Sequence, residues 1–156
     1  MKKDRVFEMI HGFFKKIGWK YDFIEEEETF YSGLSMNGAI GSIRLVINVH
    51  NQYYKVYAIL PAKADKEHLS IVAEYLHRAN FDLNSGNFEF DYSDGEIRYK
   101  TFVEFRGVEF GEDVVEKSII IPILMFDKYG KGILKSMLDS GIPEKLIEEA
   151  EELSDD

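Results

Sequence analysis

The sequence contains no cysteine. This absence excludes disulfide bonds, thiolate zinc sites, iron–sulfur clusters and a cysteine nucleophile, because each requires a cysteine sulfur. A chain of 156 residues buries roughly two-thirds of its unfolded surface, so a core forms without crosslinks. We therefore expect a single domain over residues 1–156, with a short acidic helical tail from about residue 143.

Long apolar runs are also lacking. The longest covers residues 119–126, far short of the ~20 residues that span a bilayer as a helix. Charged residues interrupt the apolar residues near the N-terminus, so no secretion signal is predicted. We expect a cytoplasmic protein that has no membrane partner. The interrupting residues are Asp4, Glu8, Lys15 and Lys16.

Positive charge is scarce. Lysine and arginine number 19 against 29 aspartate and glutamate residues, which gives a formal net charge of −10. An excess of carboxylates repels phosphate backbones and anionic lipid surfaces. We therefore expect no nucleic-acid partner. Much of the negative charge falls in residues 25–28 and 144–156, and such blocks are usually solvated surface or tail.

Motifs for cofactor binding and catalysis are missing as well. The pair Gly130-Lys131 has Met125 and Gly132 where a phosphate-binding loop requires glycine and Ser or Thr. The four histidines form no His-x-x-x-His pair, and Gly-x-Ser-x-Gly is absent. We therefore predict no cofactor, no metal site and no catalytic residue, which is the pattern of a protein that is not an enzyme.

A β-hairpin is the clearest local prediction, within residues 80–106. Asp94-Gly95 is typical of the two central residues of a hairpin turn. This turn pairs Ser93 with Glu96, places apolar pairs on one face of the hairpin and joins opposite charges on the other. The predicted apolar pairs are Tyr92 with Ile97, Phe90 with Tyr99 and Phe88 with Thr101, and the ion pairs are Asp91 with Arg98 and Glu89 with Lys100.

Two further strands, residues 43–49 and 54–60, alternate regularly about an Asn51-Gln52 turn. One face is apolar and predicts core. The opposite face is more aromatic and aliphatic than a solvated surface, so we expect it to be covered. Another part of this chain is the first expectation for the cover, and a second subunit or a ligand are the alternatives. The core face is Ile43, Leu45, Ile47, Val49, Tyr54, Val56, Ala58 and Leu60, and the opposite face is Arg44, Val46, Asn48, His50, Tyr53, Lys55, Tyr57 and Ile59.

Apolar residues at helical spacing predict helices over residues 4–18, from Asp65 to about Asn80, and over 112–138. Pro122 lies inside the last segment, so we expect the helix to kink, break or restart there. A weaker strand at residues 30–36 is interrupted by Gly33. The result is an α+β fold in which an antiparallel sheet packs with helices, in the order α-β-β-β-α-β-β-α.

Several local motifs accompany this order: the helix end at residues 75–80, the turn Asn84-Ser85-Gly86, and the strand segments 86–91 and 95–99, GNFEFD and GEIRY. In these residues the chain resembles the YbjN-domain family of bacterial proteins. The resemblance implies a fold similar to type III secretion chaperones, an α+β sandwich whose members often form dimers. It implies no established catalytic residue. It does imply a role in sensory-transduction regulation, which is only loosely defined for the family.

We therefore expect a non-enzymatic protein-binding module, chaperone-like or adaptor-like and regulatory in role, whose partner is another protein or a second copy in a homodimer. Two alternatives stay open: a domain that binds a small ligand, and an enzyme with a pocket around His50. An apolar sheet surface is the predicted contact region. The candidate binding residues are Val46, His50, Tyr53, Tyr57, Ile59 and Phe102.

Overall fold

The computed structural model describes residues 1–153, which form a six-stranded antiparallel sheet and four α-helices. Across the sheet the strands follow the order β1-β2-β3-β4-β6-β5. The helices and one face of the sheet share a single hydrophobic core. In chain order the elements are α1 (Lys3–Ile17), β1 (Asp22–Ile24), β2 (Thr29–Ser35), β3 (Ser42–Val49), β4 (Tyr53–Ile59), α2 (Leu69–Asn80), β5 (Asn87–Phe90), β6 (Ile97–Glu104), α3 (Glu112–Met137) and α4 (Pro143–Glu152).

The predicted α+β class and order of elements are confirmed. The sheet gains one element that was not predicted: β1, a three-residue edge strand in which Phe23 pairs with Phe30 of β2. In β3 and β4 the predicted register is also confirmed, since Val49 pairs with Tyr54. All eight residues of the predicted core face of these strands are buried.

The predicted register of the β5–β6 hairpin is wrong by two residues. Phe88 pairs with Tyr99 rather than Thr101, Glu89 pairs with Arg98, and Phe90 pairs with Ile97. The side chains still point to the predicted faces, because successive residues of a strand alternate and an even shift leaves each face unchanged. Phe88, Tyr99 and Ile97 are buried, as an apolar face requires.

A four-residue loop, residues 92–95, causes this shift. Gly95 donates to the carbonyl of Asp91 at 2.7 Å, and Ser93 donates to the Asp91 carboxylate at 2.8 Å. Tyr92 therefore leaves the apolar face and is 57% exposed. Gly95 has a φ of 78°, and a Cβ there would lie 2.0 Å from the carbonyl oxygen of Ala64. The loop can thus pack on the segment after β4 only with glycine at this position.

The helix neither breaks nor restarts at Pro122, because α3 continues through it to Met137. Proline has no backbone N–H, so the Ser118 carbonyl four residues earlier loses its helical donor. Thr101 of β6 replaces that donor, with its hydroxyl 2.6 Å from the buried Ser118 carbonyl. The strand thus satisfies the group that proline leaves unpaired, and the helix does not break.

A second hydroxyl network lies beside this contact. Ser118 donates its hydroxyl proton to the carbonyl of Val115 at 2.7 Å, so Tyr54, 2.9 Å away, must be the donor to the Ser118 oxygen. Burial raises the pKa of Tyr54 to about 12, although the Ser118 hydrogen bond acts in the opposite direction. Tyr54 therefore keeps its proton near neutral pH, and β4 and β6 both hold α3 by hydrogen bonds.

Two glycines inside α3 mark close contacts of this helix. A Cβ on Gly132 would lie 2.2 Å from the Tyr75 hydroxyl oxygen, and one on Gly130 would lie 2.3 Å from Ile40 Cγ1. Glycine inside a helix costs roughly 0.5–1 kcal/mol relative to alanine. In α3 the two glycines carry this cost but leave room for α2 and the β2–β3 loop to pack closely against the helix.

Side chains bind backbone groups at the start of α2 and at the outer edge of the sheet. The helix begins at Leu69 rather than at Asp65, because Asp65 caps the preceding turn by accepting from the His68 N–H at 3.1 Å. At the other end of α2, Asn80 binds both backbone groups of Phe88, at 2.7 and 3.0 Å. Another strand therefore cannot pair with β5 at Phe88.

We expect Thr101→Val to lower the free energy of unfolding by about 1–3 kcal/mol, because the buried Ser118 carbonyl then has no donor. In a Pro122→Ala background the cost should be much smaller, since the introduced alanine restores the helical N–H to that carbonyl. Urea denaturation of the four proteins, followed by circular dichroism, measures the coupling between the two sites. An equal cost of Thr101→Val in both backgrounds would contradict this account of α3.

Candidate functional site

The sheet has one face that the described helices do not cover. We call this surface the open face. The expectation that another part of this chain covers it is wrong for residues 1–153, because α1, α2, α3 and α4 all contribute to the core on the opposite side. Phe102 is 52% exposed and Tyr31 37% exposed on this surface. Its main side chains are Tyr31, Arg44, Val46, Tyr53, Lys55, Tyr57, Ile59, Arg98, Lys100 and Phe102.

The register of the sheet places the predicted binding residues on this face in two groups. In the first group Val46 of β3 pairs with Tyr57 of β4, and Ile59 pairs with Arg98 of β6. The Arg98 guanidinium carbon lies 4.3 Å from the centre of the Tyr57 ring, within the range of a cation–π contact. This end of the face is therefore aliphatic and aromatic, with a cation over one ring.

The second group is a row of rings. Tyr53 lies 5.2 Å from Phe102 and 4.5 Å from His50, measured between ring centres. Lys55 lies between the two groups on β4, and its ammonium nitrogen is 5.6 Å from the Tyr53 ring centre. The six predicted residues thus lie on the same surface, in two groups with Lys55 between them.

Glu89 neutralises two cations at one side of the open face. It accepts from Arg98 at 2.9 Å and from Lys100 at 3.0 Å. Partial burial by itself would raise the pKa of Glu89, but the Lys100 hydrogen bond and the Arg98 charge outweigh it and lower the pKa. Glu89 therefore stays ionised, and both cations are held in place.

Arg44 and Lys55 have no such partner. Neither forms an ion pair with any residue in the described part of the chain. The strand residues of this face include more cations than carboxylates, whereas carboxylates are in excess over the whole sequence. The cations are Arg44, Lys55, Arg98 and Lys100, and the carboxylates are Asp22, Glu89 and Glu104.

Sequence reasoning missed Tyr31 as a member of this surface. Tyr31 pairs with Val46 across β2 and β3, and its hydroxyl donates to the Glu27 carboxylate at 2.5 Å. That hydrogen bond raises the pKa of Tyr31. The alternation of β2 around Gly33 was the available signal, but only the pairing with β3 shows which side of the sheet Tyr31 occupies.

The open face carries no assembled catalytic or metal centre in the part of the chain that the structure describes. The His50 ring forms no hydrogen bond to a described side chain, and its contact is with the Tyr53 ring. Among residues 1–153 no group of three His, Cys, Asp or Glu side chains is placed to hold a metal ion. Within the same range, each helix is too short or too polar to cross a bilayer.

The fold is similar to that of two solved structures. YbjN, a candidate transcription regulator from E. coli, matches with a TM-score of 0.55 and 10% sequence identity, over 83% of this chain and 94% of YbjN. The ExsC–ExsE complex matches with a TM-score of 0.47 and 13% identity, over 79% of this chain and 90% of the matched chain. No protein-family profile and no curated protein matches the sequence. At such low identity the likeness to YbjN concerns the fold, and it confirms the fold expected from the resemblance.

We expect Tyr57→Glu to remain folded, with a loss of unfolding free energy of about 1 kcal/mol or less, because Tyr57 lies on the uncovered face. The matched control is Val56→Glu, which places a carboxylate at a fully buried neighbouring position and should abolish folding. Thermal unfolding followed by circular dichroism compares the two. If Tyr57→Glu also fails to fold, Tyr57 belongs to the core and the open face is misidentified.

Proposed function

We propose that this chain is a non-enzymatic protein-binding module, chaperone-like or adaptor-like, that binds a segment of a partner protein on the open face. The observation that carries the proposal is an uncovered surface of aromatic and aliphatic side chains that contains cations without carboxylate partners. Aromatic residues and arginine are enriched at protein interfaces. Tyr53, Tyr57 and Phe102 supply the rings on this surface, and Arg98 adds a cation over one of them.

The charges on the open face indicate the chemistry of the partner. Arg44 and Lys55 gain charge-assisted hydrogen bonds if a carboxylate lies over them. The rings and aliphatic side chains on both sides of Lys55 favour apolar residues. The bound segment is therefore apolar and carries one or more Asp or Glu residues. Because the chain has a net charge of −10, a partner that is acidic as a whole would be repelled, and the carboxylates belong to the segment itself.

A second copy of the chain fits this surface poorly. In a twofold homodimer the same patch meets itself, so two faces that each have four cations and three carboxylates among their strand residues would be brought together. The two chains would also each bring a net charge of −10. Both effects oppose self-association through the open face, and a heterologous segment has neither disadvantage.

The partner binds the face of the sheet rather than its edge. A peptide can extend a sheet only where an edge strand has free backbone groups. Asn80 occupies both backbone groups of Phe88 on β5, and β1 at the opposite edge has only three residues. Because these features limit pairing at the edges, the proposal places the affinity in side chains of the open face.

Selection from a random peptide display library tests this function. We expect the full chain to enrich peptides that combine aromatic or aliphatic residues with Asp or Glu. Lys55→Glu should weaken the best peptide at least tenfold, and added salt should weaken it as well, because the charge pair is lost or screened. Lys117→Glu, an exposed lysine of α3 away from the open face, is the matched control and should bind normally.

Three results would overturn the proposal. The first is enrichment of peptides without carboxylates, and the second is equal binding by wild type and Lys55→Glu. The third is a dimer in light scattering that Tyr57→Glu converts to a folded monomer, because the open face would then be a self-interface. Amide chemical-shift changes confined to β3, β4 and β6 on adding the enriched peptide would support it.

A further inference from the structure

A cleft of about 440 Å³ lies on the helical side of the sheet, away from the open face. It is enclosed by the β2–β3 loop, the middle of α3 and the end of α4. Its volume falls within the range of small-ligand sites, roughly 300–1,000 Å³. Its lining includes Met36, Ile40, Phe126, Lys128, Lys131 and Leu153, together with Asp127.

The β2–β3 loop forms one wall of this cleft because α3 allows it to approach closely. Ile40 packs over Gly130, where a Cβ would lie 2.3 Å from its Cγ1 atom. The loop is closed by a hydrogen bond from the Met36 N–H to the Gly41 carbonyl at 2.8 Å. Gly38 and Gly41 have φ values of 96° and 74°, which only glycine adopts readily. The wall is thus built by the fold and anchored to the helix.

The charges of the cleft are unusual for this chain. Lys128 and Lys131 form no ion pair with any residue in the range 1–153, and neither does Asp127. One helical turn later, Lys135 pairs with Glu149 of α4 at 3.0 Å. Among residues 1–153, therefore, neither lysine of this cleft has an ion-pair partner, and the Lys128 ammonium nitrogen lies 5.3 Å from the centre of the Tyr129 ring.

From this arrangement we infer that the cleft binds a small amphipathic anion, with a carboxylate or phosphate head group on a short aliphatic or aromatic body. The ammonium groups of Lys128 and Lys131 bind the head group, since lysine binds such anions as a point charge. The body packs against Met36, Ile40 and Leu153, beside the Phe126 ring. This binding site is separate from partner docking on the open face and does not depend on it.

Titration of the 156-residue chain with octanoate and with octyl phosphate, below their micelle concentrations, tests the inference by amide chemical shifts. We expect saturable shifts in residues 36–41 and 126–131 with at least one of the two anions. Octanol, which lacks the charge, should bind at least tenfold more weakly. Inorganic phosphate, which lacks the apolar body, should also bind more weakly. An absence of saturable shifts with both amphipathic anions, or shifts elsewhere only, would overturn the inference.

Variants at the two lysines separate head-group binding from nonspecific apolar binding. Lys128→Gln/Lys131→Gln should weaken the bound anion at least tenfold, whereas Lys128→Arg/Lys131→Arg should retain it. Lys117→Gln on the same helix is the control, because Lys117 does not line the cleft. Equal affinity of the glutamine and arginine variants, or of octanoate and octanol, would show that the lysines do not form an anion site.

Discussion

The hydrogen bond from the Thr101 hydroxyl to the Ser118 carbonyl joins the sheet to α3, the longest helix of residues 1–153. It satisfies the backbone group that Pro122 leaves without a donor and allows α3 to run unbroken for 26 residues. That length lets a single helix contact β4, β6, α1, α2 and α4. Because all four helices of residues 1–153 lie on one side, the described part of the chain leaves the other side of the sheet uncovered.

The uncovered side differs from an ordinary solvated sheet face. Antiparallel sheets that face water usually present polar side chains, yet here rings and aliphatic groups occupy the centre of β3 and β4. Glu89 compensates Arg98 and Lys100, while Arg44 and Lys55 form no ion pair with another residue of the described range 1–153. Apolar contact area and local positive charge therefore occur on the same surface of an acidic protein, and this combination supports the proposal that the surface binds a protein segment.

The cleft beside α3 repeats this combination on a smaller scale. Lys128 and Lys131 lie next to apolar side chains, and the glycines of α3 and of the β2–β3 loop permit the close packing that shapes the walls. The same helix therefore supports both surfaces: its inner side covers the sheet and leaves the open face free, and its middle turns form the floor of the cleft.

Alternation along β3 and β4 was enough to predict from sequence which side chains are buried, because a two-residue period and a short turn determine both faces of a hairpin. For the same reason Val46, His50, Tyr53, Tyr57 and Ile59 were predicted to share a face. Phe102 was a candidate from the other hairpin, and only the pairing of β4 with β6 brings it beside Tyr53. The β5–β6 register, the continuity of α3 and the absence of an intramolecular cover depend instead on contacts between residues distant in sequence. The contact between Gly95 and Ala64 decides the β5–β6 register. The hydrogen bond from Thr101 to the carbonyl that Pro122 leaves without a donor decides the continuity of α3. The sequence by itself determined the faces of the strands, and only the tertiary structure decided which face the helices cover, because local periodicity contains no information about where a distant helix packs.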